Sequence, residues 1–409
     1  MSKSKINCLE LFAGCGGLGY GFHKSGYNII ACNELENQIA ATYQHNFKGT
    51  EVIIGDITKD DIKDKIYTQF NNKKCDIVIG GPPCVAYSMS GKRDSRDKRG
   101  QLFNDYVEIV KKLKPKVFVM ENVKGILTMK HDKPTLNKNE QKIADKFYIL
   151  EKEKIKLLEN KKLLSSKDKK KENNSLVLID KNKFDLKNIN LKIKKMHSEI
   201  ESIRENVTKI IEDAFNLLGY KVFKKLLNSA DYGVSQKRQR VIFIGIRKSI
   251  VKKNNNINEI NLYPKITHFK DNNNNTYKWK TVKESIEYLK DKENDIEFSH
   301  ILTKHTNAFL EKIKNTKCGE SVNPKYKEAF FRCKPGEPSN TVKENHGGVF
   351  IHYEKDRVMT PRELAELQSF PKDFIFKGSK TNILVQLGNA VPCLLSEAIA
   401  KQIKKTIFT

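Results

Sequence analysis

The sequence lacks the long apolar run that a membrane span requires. No run approaches the roughly 20 apolar residues of such a span. The N-terminal residues also lack the charged start and long apolar core that are typical of a secretory signal peptide. We therefore expect a cytoplasmic protein. The eight cysteines form no CxxC pair and no Cys/His cluster with zinc-ligand spacing. This spacing predicts free thiols, most of them small core residues, and no metal site.

Acidic residues are few compared with basic ones. The chain has 49 Asp and Glu against 76 Lys and Arg, a formal net charge of +27 at pH 7. Lysines that neutralise phosphates release condensed counterions, so this excess favours a polyanionic partner such as nucleic acid. A compositional bias towards Lys, Asn and Ile would give the same charge without such a partner. Charge alone leaves both explanations open.

The chain of 409 residues is long enough for more than one domain. From Asn7 to Arg247, short β-branched or apolar runs alternate with amphipathic stretches, a pattern that predicts an α/β fold with a parallel sheet and covering helices. Ligands of such sheets bind beyond the carboxyl ends of the strands. The predicted strands are Ile6 to Phe12, Asn28 to Asn33, Val52 to Ile54, Asp76 to Ile79, Val117 to Glu121 and Val241 to Ile246.

A lysine-rich insertion interrupts this alternation between Thr128 and Asp213, with a low-complexity centre at 165–175. Apolar residues at four-three spacing predict two antiparallel helices joined by a mobile loop, a hairpin within 129–204. Its lysines fit a solvated face or, alternatively, a DNA contact. The seam residues are Ile143, Phe147, Leu150, Leu157 and Leu164 in the first half, and Ile189, Ile193, Met196, Ile200, Ile203, Val207 and Ile210 in the second.

The remaining chain divides into a variable part and an ordered end. Residues 249–357 are rich in Asn and Lys without clean periodicity and predict a smaller, loop-rich domain after a first domain at 1–248. Order returns in 358–409 with TPRELAELQSF, a predicted helix with Thr360 as its cap and Pro361 at its first position. A last helix is predicted after Pro392.

The segment ELFAGCGGLGYGF at 10–22 reads as a strand, a glycine turn and a helix. Its glycines let the backbone approach a ligand at a helix N-terminus, which is compatible with a nucleoside-like cofactor. Glu34, at the end of the second strand, is placed to accept hydrogen bonds from ribose hydroxyls. Asp56, after the third strand, could hold an adenine amino group. A helix cap is the alternative role for each acid.

Three further segments carry residues suited to catalysis. In DIVIGGPPCVAYS, at 76–88, a Gly-Gly-Pro-Pro turn displays Cys84 beyond the end of a strand. Glu121 ends the apolar strand in VFVMENV, where partial desolvation would let the carboxyl stay protonated and donate to a base. In QKRQRVIFIG, at 236–245, Arg238 and Arg240 present guanidinium groups suited to planar polar edges and phosphates.

Taken together, these motifs resemble the cytosine-C5 DNA methyltransferases of the bacterial restriction-modification type. The matches run in the family's order: FAGCGG, Glu34, GDI, PPC, ENV, QKRQR, RELAELQSFP and GNAVP. They cover nearly the whole chain outside the insertion and the variable part. The resemblance implies a Rossmann-like S-adenosylmethionine-dependent methyltransferase fold, with 249–357 as a target-recognition domain and 358–409 as a hinge helix and return to the catalytic domain.

The resemblance also implies roles for individual residues. Cys84 would add to C6 of a flipped cytosine so that C5 takes a methyl group, with Glu121 at N3 and Arg240 at O2. Arg238 would brace the catalytic loop or a phosphate. Positions expected around S-adenosylmethionine are Phe12, Gly14, Gly17, Glu34, Asp56, Ile57, Leu102 and Asn389, and those expected at DNA are Ser88, Gln236 and Thr341.

The sequence departs from the family at a few positions. Val85 replaces the usual glutamine after the catalytic cysteine, Tyr87 replaces a common phenylalanine, and Glu10 replaces an aspartate. The first two leave open how the emptied position in the DNA helix is handled. The resemblance further implies a nucleoid-associated monomer acting on double-stranded DNA, with a cognate restriction endonuclease that it does not stably bind.

Three alternatives remain at this point. A tRNA cytosine-C5 methyltransferase would share the core but carry a Cys-Phe-Thr signature, which the sequence lacks. A non-catalytic DNA-binding paralogue should have lost Cys84, Glu121 or the glycines of the turn, and all of these are present. A nicotinamide-dependent oxidoreductase would explain the glycine turn but not PPC, ENV and QKRQR.

Overall fold

The computed structural model describes residues 5–83, 102–167, 173–254, 256–271, 277–325, 328–344 and 349–409. These residues form two compact units. Residues 5–83, 102–124 and 215–409 make up the first, and 125–214 belong to the second. Residues 249–357 thus cluster in the same unit as the sheet, and their assignment to target recognition stays a prediction.

The strands were expected to carry the fold, and all six predicted strands are present. In chain order they and the further strands are β1 (Ile6–Leu11), β2 (Tyr27–Glu34), β3 (Glu51–Ile54), β4 (Ile77–Gly80), β5 (Val117–Val123), β6 (Lys130–Asp132), β7 (Arg204–Asn206), β8 (Tyr220–Asn228), β9 (Gln239–Arg247), β10 (His268–Phe269) and β11 (Tyr277–Lys278).

A seven-stranded sheet in the order β3-β2-β1-β4-β5-β9-β8 organises the first unit. The five strands β1 to β5 pair in parallel, and the central β4 is buried along its whole length. Such double burial is typical of parallel strands covered by helices on both faces. The predicted α/β fold is confirmed.

The expectation of a purely parallel sheet was wrong at one edge. β9 runs antiparallel to both β5 and β8. Antiparallel neighbours need only a short connection, and residues 229–238 suffice between β8 and β9. The sequence did not reveal β8 because Lys221, Lys224 and Lys225 interrupt its apolar pattern, as suits a strand at the edge of the sheet.

Fifteen α-helices lie in the described part of the chain, followed by a π-helical turn at Lys404–Phe408. They are α1 (Gly17–Lys24), α2 (Asn37–Asn46), α3 (Asp60–Thr68), α4 (Leu102–Leu113), α5 (Lys138–Lys167), α6 (Asn173–Lys195), α7 (His197–Ser202), α8 (Val207–Leu217), α9 (Lys248–Lys253), α10 (Glu259–Leu262), α11 (Val282–Ile286), α12 (Asn307–Lys314), α13 (Pro361–Leu367), α14 (Lys380–Asn389) and α15 (Cys393–Ile403).

Two helix starts follow the local signals in the sequence. The Thr360 side chain accepts a hydrogen bond from the Glu363 amide, and the Glu363 side chain accepts one from the Thr360 amide. Pro361 is the first residue of α13. The last helix, α15, begins directly after Pro392. Both predictions are confirmed, because capping depends on neighbours in sequence.

The second unit contains the predicted helical hairpin. α5 and α6 pack through an apolar cluster that includes many of the expected seam residues. The second helix is shorter than predicted, because α6 ends at Lys195, α7 is a separate helix, and β7 pairs with β6. The predicted mobile loop falls largely outside the described residues, at 168–172. The cluster comprises Ala144, Phe147, Leu150, Ile189, Met196, Ile200 and Ile203.

One segment, Lys380–Phe408, is long and apolar enough to cross a membrane by length and composition alone. The expectation that no run has this length was therefore too strict. In the structure the segment breaks into α14 and α15, and 78% of its apolar window is buried inside the protein. Leu387, Leu395 and Ile399 are fully buried. The segment forms part of the core.

Candidate active site

The glycine turn after β1 is fastened to the end of β2. The Gly14 amide donates to Glu34 Oε2 at 2.7 Å, and the Glu36 amide donates to Oε1 at 3.0 Å. Burial raises the pKa of Glu34, and these N–H donors oppose that shift. Each carboxylate oxygen still has accepting capacity for a hydroxyl group. The geometry therefore suits the predicted ribose contact.

The turn itself leaves space for a ligand. Gly14 has φ +56°, and apart from Gly14 and its two chain neighbours no atom of the described residues lies within 4 Å of the place where a Cβ would be. Phe12 shares this left-handed conformation with φ 54°, which a non-glycine residue rarely adopts. A backbone held in this shape brings amide groups close to a ligand without intervening side chains.

The ends of the first three strands meet at one edge of the sheet. The Ala13 amide donates to Asn33 O at 3.0 Å, and the Gly55 amide donates to Glu34 O at 3.0 Å. Asp56 follows at once, and its Oδ1 accepts from the Thr58 amide at 3.0 Å. The structure thus brings together the predicted acids that follow β2 and β3.

A second segment packs on the glycine turn from the end of the chain. A Cβ at Gly17 would lie 2.4 Å from Val391 O and 3.2 Å from Ala390 Cβ. Only glycine therefore permits this approach. Asn389, the last residue of α14, is exposed and precedes Val391 by two residues in sequence. Of the other predicted cofactor positions, Ile57 has a buried side chain, and Leu102 is the partly buried first residue of α4.

The exit of β4 lies beside the end of β5. The Asn122 side-chain amide donates to Pro82 O at 3.2 Å, and a Cβ at Gly81 would lie 3.0 Å from Glu121 Oε2. The Gly-Gly-Pro-Pro turn is therefore held against Glu121, and Asn122 is a positioning residue that sequence reasoning did not assign. The predicted residues Cys84 and Ser88, with Val85 and Tyr87, lie outside the described residues.

Glu121 and Arg240 form an ion pair. Arg240 Nε lies 2.7 Å from Glu121 Oε1, and each side chain is 12% exposed. Strand pairing explains the approach, because β5 and β9 are antiparallel neighbours with Val123 opposite Arg240. A carboxyl group beside a guanidinium offers an acceptor and a planar set of donors to one ligand edge. Sequence reasoning assigned both residues to one base but did not foresee that they pair with each other.

Arg238, expected to brace the catalytic loop or a phosphate, is enclosed by the protein. It is 1% exposed, and its Nη1 and Nη2 donate to Val342 O at 2.8 Å and Gly388 O at 2.9 Å. Burial, and then the Arg240 charge, lower its pKa well below the ordinary value. A contact with a DNA phosphate does not fit a buried guanidinium whose terminal nitrogens are already used. Of the two expected roles, the contacts are compatible with bracing, because Arg238 joins two distant backbone segments.

The predicted DNA contacts differ in accessibility. Gln236 is fully buried, and its Oε1 accepts from the Val342 amide at 2.8 Å, so the expectation of a direct DNA contact is not compatible with its position. Thr341 is partly exposed, and its hydroxyl donates to Lys237 O at 3.0 Å. Both residues fasten the segment around 339–342 to the loop before β9. The fully buried position could not be seen in the motif, because spacing alone does not reveal burial.

Glu10 is a further residue at the site, beneath the glycine turn. It is 1% exposed; its Oε1 accepts from the Gly19 amide at 2.8 Å, and its Oε2 accepts from the Tyr43 hydroxyl at 2.6 Å. It thereby links α1 with α2. The sequence showed only that glutamate replaces aspartate here, and Tyr43 carried no signal.

The comparison with known proteins decides the family. Residues 6–151 and 193–405 match the family described as C-5 cytosine-specific DNA methylase. The chain belongs to this family. The methylase is an enzyme, a DNA (cytosine-5-)-methyltransferase of the restriction-modification type, and the family resemblance found in the motifs is confirmed.

Individual relatives span nearly all of the methylase. It is 31% identical to the type II methyltransferase M1.HphI of Haemophilus parahaemolyticus, over 99% of this chain and 90% of that protein. It is 30% identical to M.DdeI of Desulfomicrobium norvegicum, over 97% and 88%. A solved structure described as a DNA modification methyltransferase from an E. coli prophage aligns with a TM-score of 0.66 at 21% identity, covering 99% of this chain and all of that one. This last likeness supports the fold.

Proposed function

We propose that the methylase flips a cytosine out of duplex DNA and that the Cys84 thiolate attacks C6 of that base. The target atoms are inaccessible inside a stacked duplex, so the base must leave it, at a cost of a few kcal/mol that phosphate and groove contacts offset. A neutral cytosine is a poor electrophile, and its attack requires a soft thiolate together with relief of charge on the ring. Attack at C6 makes C5 electron-rich, so that C5 can take the methyl group. Loss of the C5 proton and cleavage of the bond between Cys84 Sγ and C6 then restore the ring and the thiolate.

The observation that carries this proposal is the position of the turn before Cys84. Gly81 and Pro82 lie against Glu121 and Asn122, and Glu121 pairs with Arg240 at 2.7 Å. Cys84 follows Pro83 directly in sequence. We assign Glu121 to N3 of the flipped base and Arg240 to O2, with Arg238 holding the loop that carries Arg240.

S-adenosylmethionine is the cofactor that we assign, and when bound it supplies an electrophilic methyl group. The residues present fit such a nucleoside, because Glu34 retains accepting capacity for hydroxyls and the space at Gly14 is open. Asp56 would accept from the adenine amino group. The remaining proposed contacts are Phe12, Gly17, Ile57, Leu102 and Asn389.

We further propose that the methylase is a cytoplasmic, nucleoid-associated monomer that protects DNA from a cognate restriction endonuclease without binding it stably. The net charge of +27 supports association with DNA. Residues 249–357, with Thr341 at the DNA, are proposed to read the target sequence, and Ser88 to contact a phosphate.

Replacing Cys84 tests the chemical proposal. Cys84→Ala should abolish methyl transfer and the covalent complex with DNA that contains 5-fluorocytosine, while S-adenosylhomocysteine still binds with nearly unchanged affinity in calorimetry. Cys318→Ala, at an exposed cysteine, is the matched control and should keep full activity. Methylation by Cys84→Ala at the wild-type rate would refute the assignment.

The substrate proposal has its own test. The methylase is expressed in a host without DNA methylation, and the modified bases in DNA and RNA are mapped at single-base resolution. We expect 5-methylcytosine in one DNA sequence context. A methylated tRNA with unmodified DNA would favour the alternative tRNA substrate instead.

A further inference from the structure

The helical hairpin of the second unit carries an excess of lysine on its outer surface. Residues 138–195 contain 18 lysines and 9 acidic residues. Exposed lysines lie on α5 at Lys142, Lys152 and Lys156 and on α6 at Lys187, Lys192 and Lys194. Within the chain as described, none of these six forms an ion pair with a carboxylate.

These lysines do not hold the hairpin together. α5 and α6 meet through their apolar cluster, and the six lysines lie away from it, exposed to solvent. Lys152 and Lys156 are four residues apart and are therefore neighbours on the exposed surface of α5. Like charges at this spacing destabilise a helix slightly, and an anionic partner would relieve the repulsion.

The family match leaves out the outer part of the hairpin. The family match ends at residue 151 and resumes at 193, which leaves out most of α5 beyond its first half and nearly all of α6. The catalytic and cofactor motifs all lie in the matched part. Four of the six lysines, Lys152, Lys156, Lys187 and Lys192, lie in the unmatched segment, so the catalytic motifs do not account for them.

We propose that the hairpin is a DNA-binding arm whose outward lysines contact phosphates of duplex DNA beyond the target sequence. DNA is the substrate of the methylase, so this polyanion is present whenever the enzyme works. α5 has 30 residues and is therefore about 45 Å long at 1.5 Å per residue, the length of about 13 base pairs at 3.4 Å each. Phosphate contacts of this kind position the protein and carry no sequence information.

A helix from an acidic protein is the rival occupant, because apolar side chains are also exposed on the hairpin: Ile149, Leu158, Leu163, Leu178, Phe184 and Leu191. Their spacing favours DNA. Those on α5 are nine and five residues apart and those on α6 six and seven apart, so neither set follows the three-and-four spacing that a helical partner needs.

The test removes three lysines at a time. The hairpin variants are K187Q/K192Q/K194Q on α6 and K142Q/K152Q/K156Q on α5. The matched control, K73Q/K74Q/K111Q, removes the same charge from exposed positions that precede β4 and β5, at the sheet edge opposite the active site. Circular dichroism verifies that every variant keeps its helix content.

The salt dependence of kcat/KM is then measured on two duplexes, one with flanks of about 3 base pairs and one whose flanks are longer than the roughly 13 base pairs that match the length of α5. On the long duplex, each hairpin variant should make the negative slope of log(kcat/KM) against log salt less steep by about 1 to 3, since each lost phosphate contact removes about 0.9 from its magnitude. On the short duplex the slope should equal that of the wild type.

Two results would overturn the proposal. One is that the hairpin variants have the same slope as the wild type on the long duplex. This is also the result expected if the lysines bind only a protein partner. The other is an equal drop in the control variant, which would show that total charge matters and not the arm. Neither result depends on the assignment of Cys84 or of the cofactor residues.

Discussion

The buried Glu10 carboxyl makes the stability of the methylase depend on pH. Burial raises the pKa of Glu10 to about 8, the hydrogen bonds from Tyr43 and Gly19 oppose this shift, and Glu34 adds to it. In the unfolded chain the same group has a pKa near 4.5. Between these two values the folded protein holds a proton that the unfolded chain has lost.

The sign and size of the effect follow from this difference. Between these values the folded state binds more protons than the unfolded chain. The contribution of Glu10 to the free energy of unfolding is therefore greatest below pH 4.5 and falls as the pH rises to about 8. The slope is about 1.4 kcal/mol per pH unit, so the whole change is about 5 kcal/mol. Above pH 8 the contribution is constant.

Glu10→Gln should abolish this dependence. Glutamine has the shape of the protonated carboxyl, can still accept from Gly19 and can donate to Tyr43, but it carries no charge at any pH. The variant should gain stability relative to the wild type by about 1.4 kcal/mol for each unit from pH 5 to pH 8.

Urea unfolding at several pH values measures the difference. The single tryptophan, Trp279, lies in the same unit as Glu10 and provides the fluorescence signal. Glu51→Gln, at an exposed glutamate of β3, is the control and should parallel the wild type. If the Glu10→Gln and wild-type curves ran parallel from pH 5 to pH 8, the reasoning about this buried carboxyl would be refuted.

Two further substitutions test positioning at the site. Arg238→Met removes two hydrogen bonds from a charged donor, each contributing about 1.5–3 kcal/mol. It should lower both the thermal midpoint and kcat, and Arg238→Lys should partly restore them. Wild-type values of both quantities in Arg238→Met would contradict the positioning role of Arg238. Gly17→Ala places a methyl group 2.4 Å from Val391 O. The overpacking should cost about 1–3 kcal/mol of folding stability, and the shifted turn should bind S-adenosylhomocysteine more weakly in calorimetry. Gly336→Ala, where a Cβ has open space, is the control, and equal affinity in both variants would count against the proposed contact.

Features that depend on nearby residues could be predicted from the sequence. The six strands were found because apolar runs ended at turn residues, and the start of α13 was found because its cap lies three residues from its partner. The hairpin seam was visible in the four-three spacing, although a break at Met196 was not, since the apolar pattern continues through it.

The site residues divide in the same way. The order of the motifs was sufficient to identify the family, because it lies in the linear sequence. Their burial was not accessible: Arg238 and Arg240 are two residues apart in one motif, yet one is enclosed and the other pairs with Glu121. Side chains alternate between the two faces of a strand, but Arg238 precedes β9 and only Arg240 lies in it. Alternation therefore does not reveal that the two side chains have different surroundings.

By itself, then, the sequence determined the family, the α/β class, the ends of the strands where ligands are expected, and which residue types are available for the chemistry. Only the tertiary structure decided that β9 runs against its neighbours, that Glu121 pairs with Arg240, and that Gln236 and Arg238 are internal. The hydrogen bonds of Gln236 and Arg238 join positions more than 100 residues apart. Local spacing carries no information about such partners, because folding alone brings them together.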